Sequence, residues 1–479
     1  MNIVSKLREQ LLAEEKHPDA PTVADESGLM EEMAGGKVVL PADIANKANV
    51  ATELSAEAAV LERFKDHFVS VDGAKTLVFR ETRDPETGHP DLQRMSTRDF
   101  KDLYANETVV TATGTRPAAA VWLTHRQRRT YSGGLKLIPN GSAPPDVYNL
   151  WRGFGCKPSS AAAAEAVRPA LKHLKYIVCG GDQVAYRYLL RWWAYTVQQP
   201  ATQAEVAVVM IGGRGTGKGT LGRWFSDLFG SHGLHVQNPD HLTGRFNGHL
   251  RTTLGLFVDE AVFVGDHRGN QVLKSLITED RIMIEAKYSQ AAQARNRLKI
   301  MMATNADHAI PAGIDERRFF VVRVSDRKKQ DHSYFAQLAD WWQAGGNSAM
   351  LAFLQQVDLN GFNIRDVPKT RALDQQKILS LTGLDEWLYE LLQSSSAMWK
   401  RQTTAAELAE RFRWFCQDKG CRYEKTSPVA VSRRIHSWLE VERKREGAGT
   451  RQWVLNLPEL DEARRQFEEK LGVRIDWDD

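Results

Sequence analysis

Chemistry concentrates at four points in the chain: Lys218, the pair Asp259–Glu260, Asn305, and the pair Arg317–Arg318. Each follows or precedes an apolar run. Lys218 closes a glycine-rich stretch, Gly212, Gly213, Arg214, Gly215, Thr216, Gly217, Lys218, Gly219, Thr220, that comes directly after the apolar residues Val206 to Ile211. Glycines at these places let the backbone curl with its N–H groups pointing inward, where larger side chains would obstruct it. The lysine then supplies a fixed positive charge for β and γ phosphates, and a helix starting near Gly219 adds the positive end of its dipole. A phosphate-binding loop usually has Ser or Thr after the lysine, and here Gly219 stands there with Thr220 one place later. Thr220 therefore reaches either a Mg²⁺ ion or a phosphate, directly or through water. By itself the loop specifies a nucleotide phosphate and leaves the reaction open.

The remaining points supply what a hydrolytic site needs. LGLFVDEA, residues 254–261, places Asp259 and Glu260 at the end of a buried strand. Asp259 would hold Mg²⁺ through its water shell, and Glu260 would polarise an attacking water; a structural ion pair is the competing reading. Asn305 ends the apolar run LKIMMATN, where an amide with both donor and acceptor can orient that water or touch the γ phosphate. A turn-making asparagine would look the same. Arg317 and Arg318 precede a further strand and offer an arginine finger to a neighbouring subunit, Arg317 being preferred, unless one of them simply bonds Asp315 or Glu316.

The elements that must position these residues alternate strand and helix, which predicts an α/β fold with a parallel sheet. Phosphate loop, acidic pair, polar strand tip and arginine follow one another on successive strands, the order of an additional-strand (AAA+) P-loop ATPase. Between the acidic pair and Asn305 the pattern predicts a helix over NQVLKSLI and a hairpin over RIMIEAK, with Lys287 and Tyr288 near its tip.

Around this core, at 201–330, the chain divides by composition. Residues 1–50 belong to an acidic N-terminal region: 1–60 hold eleven Asp/Glu against five Lys/Arg, which reads as a flexible arm. Residues 51–145 read as a small α/β domain: a helix over SAEAAVLERFKDHF, a hairpin from HFVSVDG and KTLVFRET, and a helix over STRDFKDLYAN. Trp122, Tyr131, Tyr148, Trp151 and Phe154 read as core in preference to base-stacking aromatics. Residues 146–200 form a helical collar, with Gly180–Gly181 as the turn and Asp182 capping the second helix. Residues 331–398 read as a helical closing region.

The C-terminal segment 399–479 has a separate pattern. A helix ending at Gly420, a second starting near Pro428 and a ribbon turning at GAGT make a winged-helix domain. Residues 400–450 carry twelve Lys/Arg against seven Asp/Glu, including Arg433, Arg434, Arg443, Lys444 and Arg445. The second helix would enter a major groove while the wing holds phosphates, although many winged helices bind proteins instead.

The full chain of 479 residues has a net charge of only +4, so any nucleic-acid surface must be local. No apolar stretch approaches the twenty or so residues that cross a bilayer, and the first residues lack a signal-peptide core; a cytoplasmic protein with no membrane partner is expected. Its four cysteines, Cys156, Cys179, Cys416 and Cys421, form no C-x-x-C pair, so reduced thiols are expected rather than a zinc ribbon.

Taken together, these motifs resemble the superfamily 3 helicases of viruses and mobile elements, especially the primase-helicase proteins of bacteriophages and prophages. IGGRGTGKGT is similar to their motif A, LFVDEA to motif B, ITEDRIMIEAKYSQ to the B-prime hairpin, IMMATN to motif C, and DERRFF to the arginine-finger region. LQRMSTRDFKDLYAN, YNLWRGFG and NPDHLTGRFNGHL also resemble segments of the phage proteins, so the likeness runs over roughly residues 60–390. The resemblance implies a phage- or prophage-encoded protein in a bacterial host cell. It further implies a hexameric homo-oligomer that hydrolyses ATP with Mg²⁺ between subunits and draws single-stranded DNA from a forked duplex, with Lys287 and Tyr288 in the channel. The N-terminal part shows no zinc ribbon and no strand-end aspartate pair, so priming would fall to a separate primase or polymerase. Alternative readings are an AAA+ ATPase that loads or remodels replication partners without unwinding, and a DNA-binding module with a vestigial nucleotide site.

Overall fold

Five of the apolar runs become the strands of one sheet in the computed structural model. It describes residues 42–479 apart from 74, 161–163, 239, 245, 266, 286–290, 395–397, 422–423, 447–451 and 478–479. All neighbouring pairs are parallel, in the order Gly233–Val236, Gly255–Val258, Lys299–Thr304, Ala207–Ile211, Phe319–Arg323. The Lys299 strand thus lies between the strand that leads into the glycine loop and the strand that leads into Asp259. Side chains two apart share a face, and the burial follows that rule. Val208, Met210, Phe257, Met301, Ala303, Phe320 and Val322 join one core, while Ala207, Val209, Ile211, Leu256, Val258, Ile300, Met302, Phe319 and Val321 join the other. Both faces are covered, which is why these runs read as continuously apolar instead of alternating.

One face is covered by the helices Gln183–Gln198, Lys218–Leu228 and Asn347–Gln356. Asp182 caps the first of these, accepting from the N–H groups of Val184 and Ala185 at 2.8 and 3.0 Å. Trp192 donates to the Val206 carbonyl at 3.0 Å, and Gln198 donates to the carbonyls of Leu354 and Val357 at 2.8 Å. Collar and closing helices therefore form one layer over the sheet. The opposite face carries His267–Thr278 and Arg371–Leu379, through Leu273, Leu276, Ala372 and Leu373.

Two domain boundaries differ from those expected. The segment 51–145 divides between two compact units, one containing 51–64 and 103–127, the other 65–102 and 128–145 with the rest of the described chain. In the smaller unit the helix Ala42–Arg63 packs with the helix Ala118–Thr124, Phe64 meets Tyr104 edge-on at 5.0 Å, and Arg63 pairs with Glu107 at 2.6 Å. Residues 1–41, most of the expected arm, lie outside the described residues. In the larger unit, His67–Asp72 and Lys75–Arg83 form the expected hairpin, in register from His67 opposite Arg80 to Asp72 opposite Lys75. Pro90–Met95, for which the sequence pattern predicts no element, adds an edge strand, where proline is tolerated. Asp72 receives Arg251 at 2.8 Å and Arg94 at 3.2 Å, which ties this small sheet to the approach of the Gly255 strand. The aromatics of the irregular stretch are packed: Trp122 and Tyr148 are buried, and Trp151 stacks on His232 at 4.9 Å.

The second boundary is C-terminal. Helix Leu384–Gln393, expected in the closing region, shares its core with Leu408, Phe412, Ile435, Leu455 and Phe467. The C-terminal unit therefore begins near Leu384 and not at 399. It comprises helix Ala405–Lys419, held by a Thr404–Glu407 capping box, helix Pro428–Trp438, and a three-stranded sheet in the order Gln402–Thr403, Gln452–Asn456, Glu442–Glu446. A final helix, Leu460–Leu471, packs Ala463 and Phe467 into the same core. Among the described residues no helix is long and apolar enough to cross a membrane, and all four cysteines are free.

Candidate active site

Gly217 adopts φ +96° as the N-cap of helix Lys218–Leu228, a conformation that a side chain would strain. The surroundings exclude a side chain as well: a Cβ there would lie 2.7 Å from Phe335 Cε1 and 2.9 Å from His173 Cε1. The loop is thus pressed between the helix it starts and residues from two other elements. His173 opens a π-helical turn, His173–Val178, and its Nδ1 lies 3.0 Å from the Tyr334 hydroxyl. Burial pushes its pKa down to about 4, so the ring is neutral near pH 7.

Lys218 is buried and donates to the carbonyls of Gly212 and Gly213 at 2.7 Å each and to Asn305 Oδ1 at 2.9 Å. The tip of the Lys299 strand and the loop lysine are therefore directly bonded. Desolvation pulls the lysine pKa down while Asp259 and Asp326 oppose that shift. Thr216, fully buried, donates to the Gly213 carbonyl at 2.9 Å and fixes the loop from within.

Asp259 follows the Gly255 strand, with its N–H bonded to the Val236 carbonyl at 2.8 Å and its Oδ1 accepting from the Glu260 N–H at 3.0 Å. Glu260 has φ +55°, unusual for a side chain of this size. This left-handed turn at the strand end is where strain is found at functional sites. A cavity of about 380 Å³ is lined by Lys218, Thr220, Asp259, Glu260 and Asn305 together with the loop residues Arg214 to Gly219. Two further residues line it that motif reading missed, Arg223 and Phe335. A surface arginine one turn along a helix carries no spacing signal, and Phe335 comes from a distant helix.

Arg317 and Arg318 do not line this cavity. They precede Phe319, which pairs with Ala207 at the opposite end of the sheet, and a five-residue strand spans about 16 Å. Arg318 is paired with the buried Glu316 at 3.6 Å, Glu316 also receives Lys274 at 3.6 Å, and Arg317 is exposed. The hairpin between helix His267–Thr278 and the Lys299 strand is present, Arg281–Ile284 opposite Ala292–Arg295, and Lys287 and Tyr288 lie outside the described residues.

In the C-terminal unit Arg433 is exposed, whereas Arg434 Nε donates to Asp385 Oδ1 at 2.7 Å. Arg434 is thus held by a carboxylate of the helix Leu384–Gln393, which a count of basic residues does not reveal. Arg443, Lys444 and Arg445 are exposed on one strand, and Arg443 and Arg445 lie 4.8 and 4.9 Å from the Trp453 ring.

The fold is thus a mixed α/β architecture built on a parallel five-stranded sheet, with the polar cavity at the carboxyl ends of its strands. A family model described as a family of unknown function, DUF5906, matches residues 210–318, the loop through the arginine pair. The chain is 25% identical over 168 residues to the DNA primase-polymerase of Nitratiruptor phage NrS-1, an alignment spanning 34% of this chain and 22% of that protein. The fold resembles the apo structure of the NrS-1 C-terminal region, with a TM-score of 0.55 and 15% identity over 85% of this chain and 99% of that one. A second apo form of that region gives a TM-score of 0.56 and 16% identity over 84% and 99%.

Proposed function

We propose that this chain is an ATP-driven DNA helicase of phage or mobile-element replication, acting as a ring of identical subunits. The observation that carries the reading is the meeting of Lys218, Asp259, Glu260 and Asn305 around one cavity at the carboxyl edge of a parallel sheet, where such folds bind ligands. The placement of the Lys299 strand between the other two motif-bearing strands supports the additional-strand AAA+ reading. The similarity to a phage primase-polymerase supports a role in phage DNA replication.

In this reading the N–H groups of Gly213 to Thr220 and the Lys218 ammonium hold the triphosphate. Glu260, aimed by its left-handed turn, takes the proton of the attacking water, and Asn305 orients that water. The cavity fits Mg²⁺ bound in the usual way for phosphate chemistry. It offers oxygen donors from Asp259 and Thr220, and among the described residues no group of three or more His, Cys, Asp or Glu side chains forms a dedicated metal cage. Bound there, the ion would neutralise phosphate charge. Arg317, exposed at the far end of the sheet, would complete the site of the adjacent subunit, and Arg318 is the weaker choice because Glu316 holds it. The ribbon carrying Lys287 and Tyr288 would grip single-stranded DNA, and the C-terminal unit, read as a winged helix, would use Arg433, Arg443 and Lys444 on duplex phosphates.

The test is ATP hydrolysis with and without single-stranded DNA, alongside displacement of a labelled strand from a fork. Stimulated hydrolysis and strand displacement, both lost in Lys287→Ala, are the expected result. If DNA leaves hydrolysis unchanged and no duplex opens, the helicase assignment fails and a partner-loading ATPase takes its place.

A further inference from the structure

Gly219 occupies the position where the phosphate-loop motif ordinarily has a hydroxyl residue. The structure shows what that space faces: a Cβ built on Gly219 would lie 3.4 Å from Arg223 Nη1 and 3.7 Å from Asp259 Oδ2. Arg223 stands on the same helix as Lys218, and its guanidinium is brought back over the first turn, beside the Asp259 carboxylate, where it lines the cavity. The acids facing it are Asp259 and Glu260 in the cavity, with Asp227 on its own helix near enough to feel its charge. None of the three lies within ion-pair distance of Arg223 among the described ion pairs, so the guanidinium is close to carboxylates without being locked to one.

We propose that Arg223 is a phosphate-binding cation supplied by the same subunit, and that glycine at 219 leaves the space around its guanidinium open. The inference rests on the nucleotide reading above. A Cβ at 219 would touch the guanidinium at ordinary contact distance, and an Oγ carried on it would compete for the space beside Arg223. The cavity thus holds two helix-borne cations, Lys218 from the first position and Arg223 from the sixth, together with the acidic pair. A guanidinium binds phosphate oxygens through two parallel N–H bonds, a geometry lysine cannot reproduce. Because it lies near Asp259, the carboxylate read as holding Mg²⁺ at the phosphates, Arg223 would meet the terminal phosphate, so ATP should depend on it more than ADP does.

The experiment measures binding of fluorescent ATP and ADP analogues to the full chain by titration, for the natural protein, Arg223→Ala, Arg223→Lys, Gly219→Ser and the double variant Gly219→Ser/Arg223→Ala. Arg223→Ala is expected to lose about tenfold in affinity for the ATP analogue and under about threefold for the ADP analogue, as for one charge-assisted phosphate contact. Arg223→Lys should recover part of the loss. Gly219→Ser should weaken ATP binding in the natural background and add nothing once Arg223 is gone, because the two changes act on one contact. Thermal unfolding of the exposed-site variant Arg223→Ala checks that the fold is intact. If the natural protein binds ATP and Arg223→Ala binds both analogues equally well, the role of Arg223 is refuted while the nucleotide site stands. If the natural protein binds neither analogue, the nucleotide reading itself falls, and this inference with it.

Discussion

The two ends of the parallel sheet differ in the way they hold charge. At the carboxyl end, Lys218 is buried and tied by three hydrogen bonds, and it shares its cavity with Asp259, Glu260 and Asn305. At the amino end, Glu316 is buried and collects Lys274 and Arg318, leaving Arg317 exposed. One end has its polar groups converging on a space; at the other, Glu316 draws in Lys274 and Arg318 and leaves Arg317 exposed. On the proposed reading, the carboxyl end holds the lysine, acidic pair and amide of a hydrolytic site, and Arg317 stands at the other end, where a neighbouring subunit would use it.

The largest effect that bears on this contrast is at the carboxyl end. Lys218→Ala should reduce ATP hydrolysis on the order of 10³-fold, since it removes both the phosphate charge and the bond that aligns Asn305; phosphate release at saturating ATP measures it. Hydrolysis within a few-fold of the natural rate would mean that the cavity is not where ATP is split. Asn305→Ala is expected to cost about tenfold in turnover with little change in ATP affinity, because in the proposed site the amide would orient water more than bind nucleotide.

A third outcome concerns the packing behind the loop. His173 has its pKa pushed down to about 4 by burial, from an ordinary value of 6.5. The unfolded chain takes up this proton below about pH 6.5 and the folded chain only near 4. Stability from this group is therefore complete above pH 6.5 and falls as pH drops toward 4, by up to about 1.4 kcal/mol per unit. His232, also lowered by burial, acts in the same direction. Denaturant unfolding between pH 7 and 4.5 should show this slope, and His173→Phe should flatten it; an unchanged slope would show that the ring is not neutral in the fold.

The smallest effect sharpens a second contrast, between Arg434 and the wing. Arg434→Ala should lower the stability of the C-terminal unit by roughly 0.5–1 kcal/mol through loss of the Asp385 pair, and leave the salt dependence of DNA binding unchanged. Arg443→Ala and Lys444→Ala should each reduce that salt slope by about one while stability stays constant. Equal salt slopes for all three variants would remove the wing from the DNA-binding surface.

The glycine loop, the strand that delivers Asp259 and the polar tip at Asn305 were legible in the sequence because each is written in neighbouring residues: glycines in a row, or apolar residues running into a single polar one. The hairpin and the capped helices were legible for the same reason. What the sequence hid depends on distance. Arg223 reads as a solvated helix residue until Gly219 is seen to leave room for it, and Phe335 and His173 reach the loop from elements over a hundred and forty residues apart along the chain. Helix Leu384–Gln393 reads as part of the preceding helical run, and only its packing on Phe412 and Phe467 assigns it to the C-terminal unit. The third strand of the small sheet, PDLQRM, lacks the alternation that marks a half-buried strand, because it is an edge with most of its side chains outside.

Whether the two ends of the sheet meet across a subunit boundary is tested most directly by mixing two inactive chains. Glu260→Gln lacks the base and keeps Arg317; Arg317→Ala keeps the base and lacks the arginine. Combined in equal amounts under assembly conditions, they should regain about a quarter of the natural ATPase rate, the share of random interfaces that unite an intact Glu260 with an intact Arg317. A mixture no more active than the sum of its parts, from chains shown to co-assemble, would contradict a shared site.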